Sequence, residues 1–186
     1  MRSEARPFRQ SDIDGLCGLH ALFNAVHYLF PQKFPLWGES TYELAHAIAD
    51  GISDAKFKAA WKHGQERSDM ERMLVAASDH LRKEGHALAW TAPFDMEPPK
   101  RIDAFWNRLK EAVGSDLGRS ALAIVGFEEP DPHWSCVIGI APSTVRLFDS
   151  SIYKRIRRSD TTLGASAASE RWVIKPDDAL IVQRVA

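Results

Sequence analysis

The 186-residue chain has only two cysteines, so a disulfide framework is not what holds it together, and it must bury its own core. It has no excess of either charge: 24 Lys and Arg stand against 25 Asp and Glu, a formal net charge of −1. Nothing overall attracts a polyanion, so nucleic acid is not an expected partner. The one local basic run, Lys154, Arg155, Arg157 and Arg158, reads as the solvated face of a hairpin. No apolar run approaches the roughly 18 residues a membrane-spanning helix needs, so no membrane partner is expected either. Behind Met1 come Arg2, Glu4, Arg6 and Arg9 with no apolar segment of the signal-peptide kind. A soluble, cytoplasmic protein is the expectation. Repeats and low-complexity linkers are missing too, and the length suits one domain over residues 1–186.

What is present divides into two textures. Behind Leu16, the residues Leu19, Leu22, Phe23, Val26 and Phe30 recur at helical spacing until Pro31 stops them. The opposite side carries Cys17, Ala21, Asn24 and Tyr28, so this helix is small or apolar nearly all round and should be buried between two layers. Helical pattern then dominates residues 40–114. Helices are expected over Thr41–Ile52, Ala55–His63, Ser68–Lys83 and Pro98–Val113, with Ser68 and Glu71 forming a capping box and a short strand at Ala87–Thr91. From Ser120 the pattern turns to strands: Ala121–Phe127, His133–Ile140, Thr144–Phe148, Arg171–Ile174 and Ala179–Val185, joined by short turns. Helices first and strands after predict an α+β fold. The N-terminal helix should pack on an antiparallel sheet from about 120–186, with a helical lobe from about 40–114.

Three positions stand out chemically. Cys17 lies between Gly15 and Gly18, where a turn feeds directly into the buried helix. A thiol at a helix N-terminus faces the positive end of the macrodipole and free backbone amides, both of which favour thiolate. His133 opens a strand behind the polar segment Glu128-Glu129-Pro130-Asp131-Pro132. Asp149 closes the following strand, in Leu147-Phe148-Asp149-Ser150. If those strands form a hairpin, His133 and Asp149 share one sheet end, where the carboxylate accepts the Nδ1 proton and leaves Nε2 facing the thiol. Each residue alone has an ordinary structural explanation; together they are the parts of a Cys-His-Asp device.

The order Gln10…Cys17-Gly18…Ala21-Leu22…Asn24-Ala25, then His133-Trp134, then Leu147-Phe148-Asp149, resembles the bacterial papain-like cysteine peptidases. The nearest flavour is the peptidase C39-like group, and Josephin-type deubiquitinases are a remoter likeness. The likeness covers the chain up to about Phe30 and again from Ala121 onward. It implies a cysteine hydrolase acting on an amide bond of a protein or peptide substrate through a thioester, without a cofactor. It also implies that a glutamine upstream of the cysteine donates its amide to the oxyanion. Gln10 holds that place, seven positions before Cys17.

Two other readings use the same residues. Cys17-x-x-His20 and His133-x-x-Cys136 supply two cysteines and two histidines for a zinc site, although His133 and Cys136 fall on opposite faces of a regular strand. By the same alternation Cys136 and Trp134 read as core. Alternatively, the fold serves as a catalytically silent binding module.

Overall fold

The apolar run behind Leu16 forms α1 (Cys17–Leu29), and none of its residues is exposed. It ends where the Phe30 amide closes on the Val26 carbonyl at 2.8 Å, one residue before Pro31. The structure, a computed structural model, describes residues 6–8, 15–34, 38–114, 120–129, 132–164 and 172–185. Helices α2 (Glu39–Asp50), α3 (Asp54–His63) and α4 (Arg67–Lys83) follow, then β1 (Ala87–Thr91) and α5 (Ile102–Val113). The rest is β2 (Ala121–Glu129), β3 (His133–Ile140), β4 (Thr144–Phe148), β5 (Arg155–Arg157), β6 (Thr161–Leu163) and β7 (Trp172–Val185).

The strands form one sheet of order β1-β7-β2-β3-β4-β5 with antiparallel neighbours, and β6 adds to β7 in parallel. The fold is therefore a mixture of helices and a largely antiparallel sheet. β2 to β4 run as the expected meander, and β5, which was not expected, extends it. The two predicted C-terminal strands are one continuous strand, β7. Its ladder to β2 is irregular around Lys175-Pro176-Asp177-Asp178, because proline has no N–H to donate.

Strand alternation gives the sheet two apolar faces. Leu122, Ile124, Trp134, Cys136, Leu180 and Val182 meet α1, which is also packed by Leu44 and Ile48 of α2 and by Met70, Met73, Leu74 and Ala77 of α4. The other face, with Ala123, Val125, Phe127 and Val137, is covered by Phe105, Trp106 and Leu109 of α5. Burial of each large side chain on either face is worth about 1.5–3 kcal/mol. The stretch 40–114 is thus not a single helical lobe. α2 and α4 share α1's side of the sheet, α5 lies on the opposite side, and β1 joins the sheet itself. An amphipathic helix shows that it covers something; its sequence does not say which face.

Two helix starts also differ from expectation. α4 begins at Arg67, where the Glu66 amide donates to Asp69 Oδ2 at 3.4 Å, and Glu71 instead binds Arg67 Nε at 2.8 Å. α5 begins only after Arg101, which is extended at φ −135° and ψ 143°, because the Pro98-Pro99 pair holds the preceding chain out of helix.

Candidate active site

Cys17 is the first residue of α1, and its surroundings are fixed by close backbone approach. The Gly15 amide donates to the Trp61 carbonyl at 3.0 Å. A Cβ on Gly15 would stand 2.7 Å from the Ala60 carbonyl oxygen and 3.0 Å from that of Trp61, so only glycine fits. The residue before the helix is Leu16, which has no side chain able to cap it. Instead the Gly18 amide donates to Gln65 Oε1 at 3.0 Å, from the connection between α3 and α4. Gln65 is buried, and its backbone carbonyl accepts from Trp134 Nε1 at 2.8 Å.

His133 is the first residue of β3, paired with Phe127 of β2. Asp149 follows the last residue of β4, and Cys136 pairs with Phe148, which brings Asp149 to the His133 end of the hairpin. His133 Nε2 lies 2.9 Å from Asp149 Oδ2, and the Cys17 thiol is near enough to the ring to influence its protonation. The structure therefore brings Cys17, His133 and Asp149 together. The ring is turned relative to expectation: Nε2, not Nδ1, meets the carboxylate. The Asp149 side chain is wholly buried and that of His133 nearly so. Gln10 lies outside the described residues.

The electrostatics follow from burial set against pairing. Burial by itself disfavours a charged His133, but the hydrogen bonds and charges of Asp149 and Cys17 outweigh it and raise the ring to about 9. Burial likewise opposes ionisation of Asp149, and the His133 ring overrides it, holding the carboxyl below its ordinary range. Asp149 Oδ1 also accepts from the Ser151 amide at 2.7 Å and from the Ser151 hydroxyl. The imidazole is thereby held protonated at neutral pH, oriented by a carboxylate and placed against a thiol. Such a group can return a proton to a leaving atom.

Cys136 is chemically the opposite case. It is fully buried beneath α1, and its thiol donates to the Ala21 carbonyl at 3.0 Å. Burial, and then the nearby Asp149 charge, push that thiol well above its ordinary value. The two cysteines thus face different partners, and among the described residues no group of three His, Cys, Asp or Glu side chains is placed to hold a metal ion.

Sequence reasoning passed over Gln65 and Ser151. Ser151 had a signal, since a serine two residues after a strand-ending Asp suits an Asx-type turn. Gln65 had none: Gly64 marks a break between helices, but nothing there points to partners 47 and 69 residues away.

No family model matches the chain, and no curated protein matches it. Among solved structures it is similar to the Pseudomonas avirulence protein AvrPphB, at 13% identity and a TM-score of 0.38, over 91% of this chain and 90% of that one. A likeness of that size leaves the chemistry to the residues described above. No helix among the described residues is long and apolar enough to cross a membrane.

Proposed function

We propose that the chain is a papain-like cysteine hydrolase, similar to the peptidase C39-like group, acting on an amide bond of a protein or peptide substrate. Cys17 is the nucleophile, His133 its acid and base, and Asp149 the group that orients the ring. The observation that carries this reading is the His133 ring, with Asp149 on Nε2 at 2.9 Å and the Cys17 thiol near enough to influence its protonation.

In this reading Cys17 Sγ attacks the carbonyl carbon while His133 holds the proton on Nδ1. The resulting oxyanion takes hydrogen bonds from the Cys17 backbone amide and from the Gln10 side chain. The C–N bond then breaks, the His133 proton passes to the departing amine, and a thioester remains on Cys17. Water attacks the thioester, giving its proton to His133, and the acid product leaves with the thiol restored. Peptide, isopeptide and glutamine side-chain amides all follow this course.

Competitive labelling with a thiol-selective electrophile tests the reading. Cys17 should react far faster than Cys136, and His133→Ala should remove most of the difference. Equal, slow labelling of both thiols in the folded protein counts against a nucleophile at Cys17. Probes built on peptide, isopeptide and glutamine amides then identify the substrate class.

A further inference from the structure

We propose that Gln65 is a positioning residue: from the α3–α4 connection it holds the start of α1 and the start of β3 in register, so that Cys17 and His133 meet. The inference rests on the hydrolase reading above and adds to it a residue that touches neither reacting group.

The geometry is a clasp. One side-chain atom of Gln65, Oε1, takes the amide of Gly18, the residue after Cys17, at 3.0 Å. One backbone atom, its carbonyl oxygen, takes the indole N–H of Trp134, the residue after His133, at 2.8 Å. Both bonds are buried, and buried hydrogen bonds hold geometry more tightly than exposed ones. The fit is close enough that a Cβ on Gly18 would stand 2.9 Å from Gln65 Oε1. Gln65 also does for α1 what its own N-cap does not. Leu16 leaves the helix uncapped, and Gln65 accepts the second amide of the helix, as a capping side chain ordinarily does.

The kind of cap matters. A glutamine is neutral, so it satisfies the amide without bringing a second negative charge to the end of the helix that carries the thiol. Its Nε2 is buried and has no hydrogen-bond partner among the described residues. A buried orphan donor carries an energetic cost, and it is tolerated here at a residue whose side-chain oxygen and backbone carbonyl both reach the site's elements. The titratable groups around this junction are Cys17 on α1, His133 and Asp149 on the sheet, and Glu66 and Asp69 at the start of α4. Asp69 is paired with Lys56 of α3 at 2.6 Å.

The test is a double-mutant cycle read on Cys17 alkylation by iodoacetamide near neutral pH, using Gln65→Ala, His133→Ala and the double variant. Misplacement of a reacting pair by a remote change costs up to a hundredfold, so Gln65→Ala should slow labelling roughly ten- to hundredfold. In the His133→Ala background the same change should alter the rate by about twofold at most, because the pair it aligns is already gone. In Gln65→Ala the His133 ring, followed by NMR, should titrate below the native value of about 9 as it loses the thiol contact. Equal slowing in both backgrounds, or an unmoved ring titration, overturns the positioning role and leaves Gln65 a plain structural residue. If His133→Ala alone leaves native labelling unchanged, the hydrolase reading fails, and the ring titration still decides whether Gln65 aligns the pair. Should Gln65→Ala not fold, Trp134→Phe removes the other half of the clasp. It should slow labelling several-fold only when His133 is present, and no slowing overturns the proposal.

Discussion

Replacing Asp149 by Asn tests the electrostatic core of the site with almost no change in shape. In the native protein the His133 ring stands at about 9 against an ordinary 6.5. At 1.36 kcal/mol per pH unit, that is about 3 kcal/mol of preference for the imidazolium. The carboxylate supplies much of it through the 2.9 Å bond, while burial works the other way. With Asn in place, burial still lowers the ring and Cys17 still raises it, but the carboxylate charge is gone, so the ring should titrate well below 9. About 3 kcal/mol corresponds to a few hundredfold in turnover. Thiol alkylation should fall less, because Cys17 keeps its place at the helix start. Stability gives an independent measurement. A histidine whose value is raised on folding contributes fully below 6.5, and the contribution is lost as pH rises through 9, so native stability should decline by about 3 kcal/mol across that window. Asp149 works in the opposite sense: its contribution is present above the ordinary carboxyl value of 3.8 and is lost as pH falls through its lowered one. The Asn variant should lose both limbs. Chemical denaturation at a series of pH values, with NMR of the His133 ring, measures each. A variant ring that still titrates near 9 would refute the assignment of Asp149 as its partner.

Cys17→Ala should abolish turnover and fast labelling with an unchanged thermal melt, whereas Cys136 should label only once denaturant unfolds the chain, as mass spectrometry of the labelled peptides would reveal. Gln10→Ala should spare alkylation yet lower turnover by roughly 10²-fold, the scale of one lost oxyanion donor; unchanged turnover on a true substrate removes Gln10 from the reaction. Gly15→Ala forces a methyl against the Ala60 and Trp61 carbonyls and should destabilise by about 1–3 kcal/mol, seen as a lower Tm. Trp106→Phe deletes the buried 2.9 Å bond to Thr161 Oγ1 on the α5 side of the sheet. It should reduce stability by about 1–3 kcal/mol while leaving Cys17 labelling as it was.

The residues that were legible in the sequence sit where one kind of backbone gives way to another. Cys17 begins a helix after Gly15, His133 begins a strand, and Asp149 follows the end of the next; each alone had an ordinary structural reading, and the joint pattern with the family resemblance made them candidates. Their convergence needed only the hairpin of β3 and β4, whose turn is short and visible. The orientation of the ring was not legible, because it is set by side-chain packing that strand pattern does not specify. Nor was the side of the sheet taken by α5, since a single apolar stripe fits either face. β5 and β6 escaped notice because three residues carry no periodicity. Gln65 escaped because its role lies entirely in contacts remote along the chain.

That remoteness has a consequence for the nascent protein. The residues around the start of α1 come from far downstream, Gln65 lying 47 residues beyond its partner Gly18 and His133 and Asp149 further still, and α1 rests on Cys136 across a separation of 115. During synthesis Cys17 leaves the ribosome long before any of them exists. An isolated helix of this length is marginal in water, so until the sheet is complete the thiol sits in an unstructured chain with ordinary reactivity. A chain broken off before β3 holds Cys17 without His133 or Asp149, and one broken off before β4 still lacks Asp149. Under the proposed function, full reactivity therefore waits for the β3–β4 hairpin, late in synthesis.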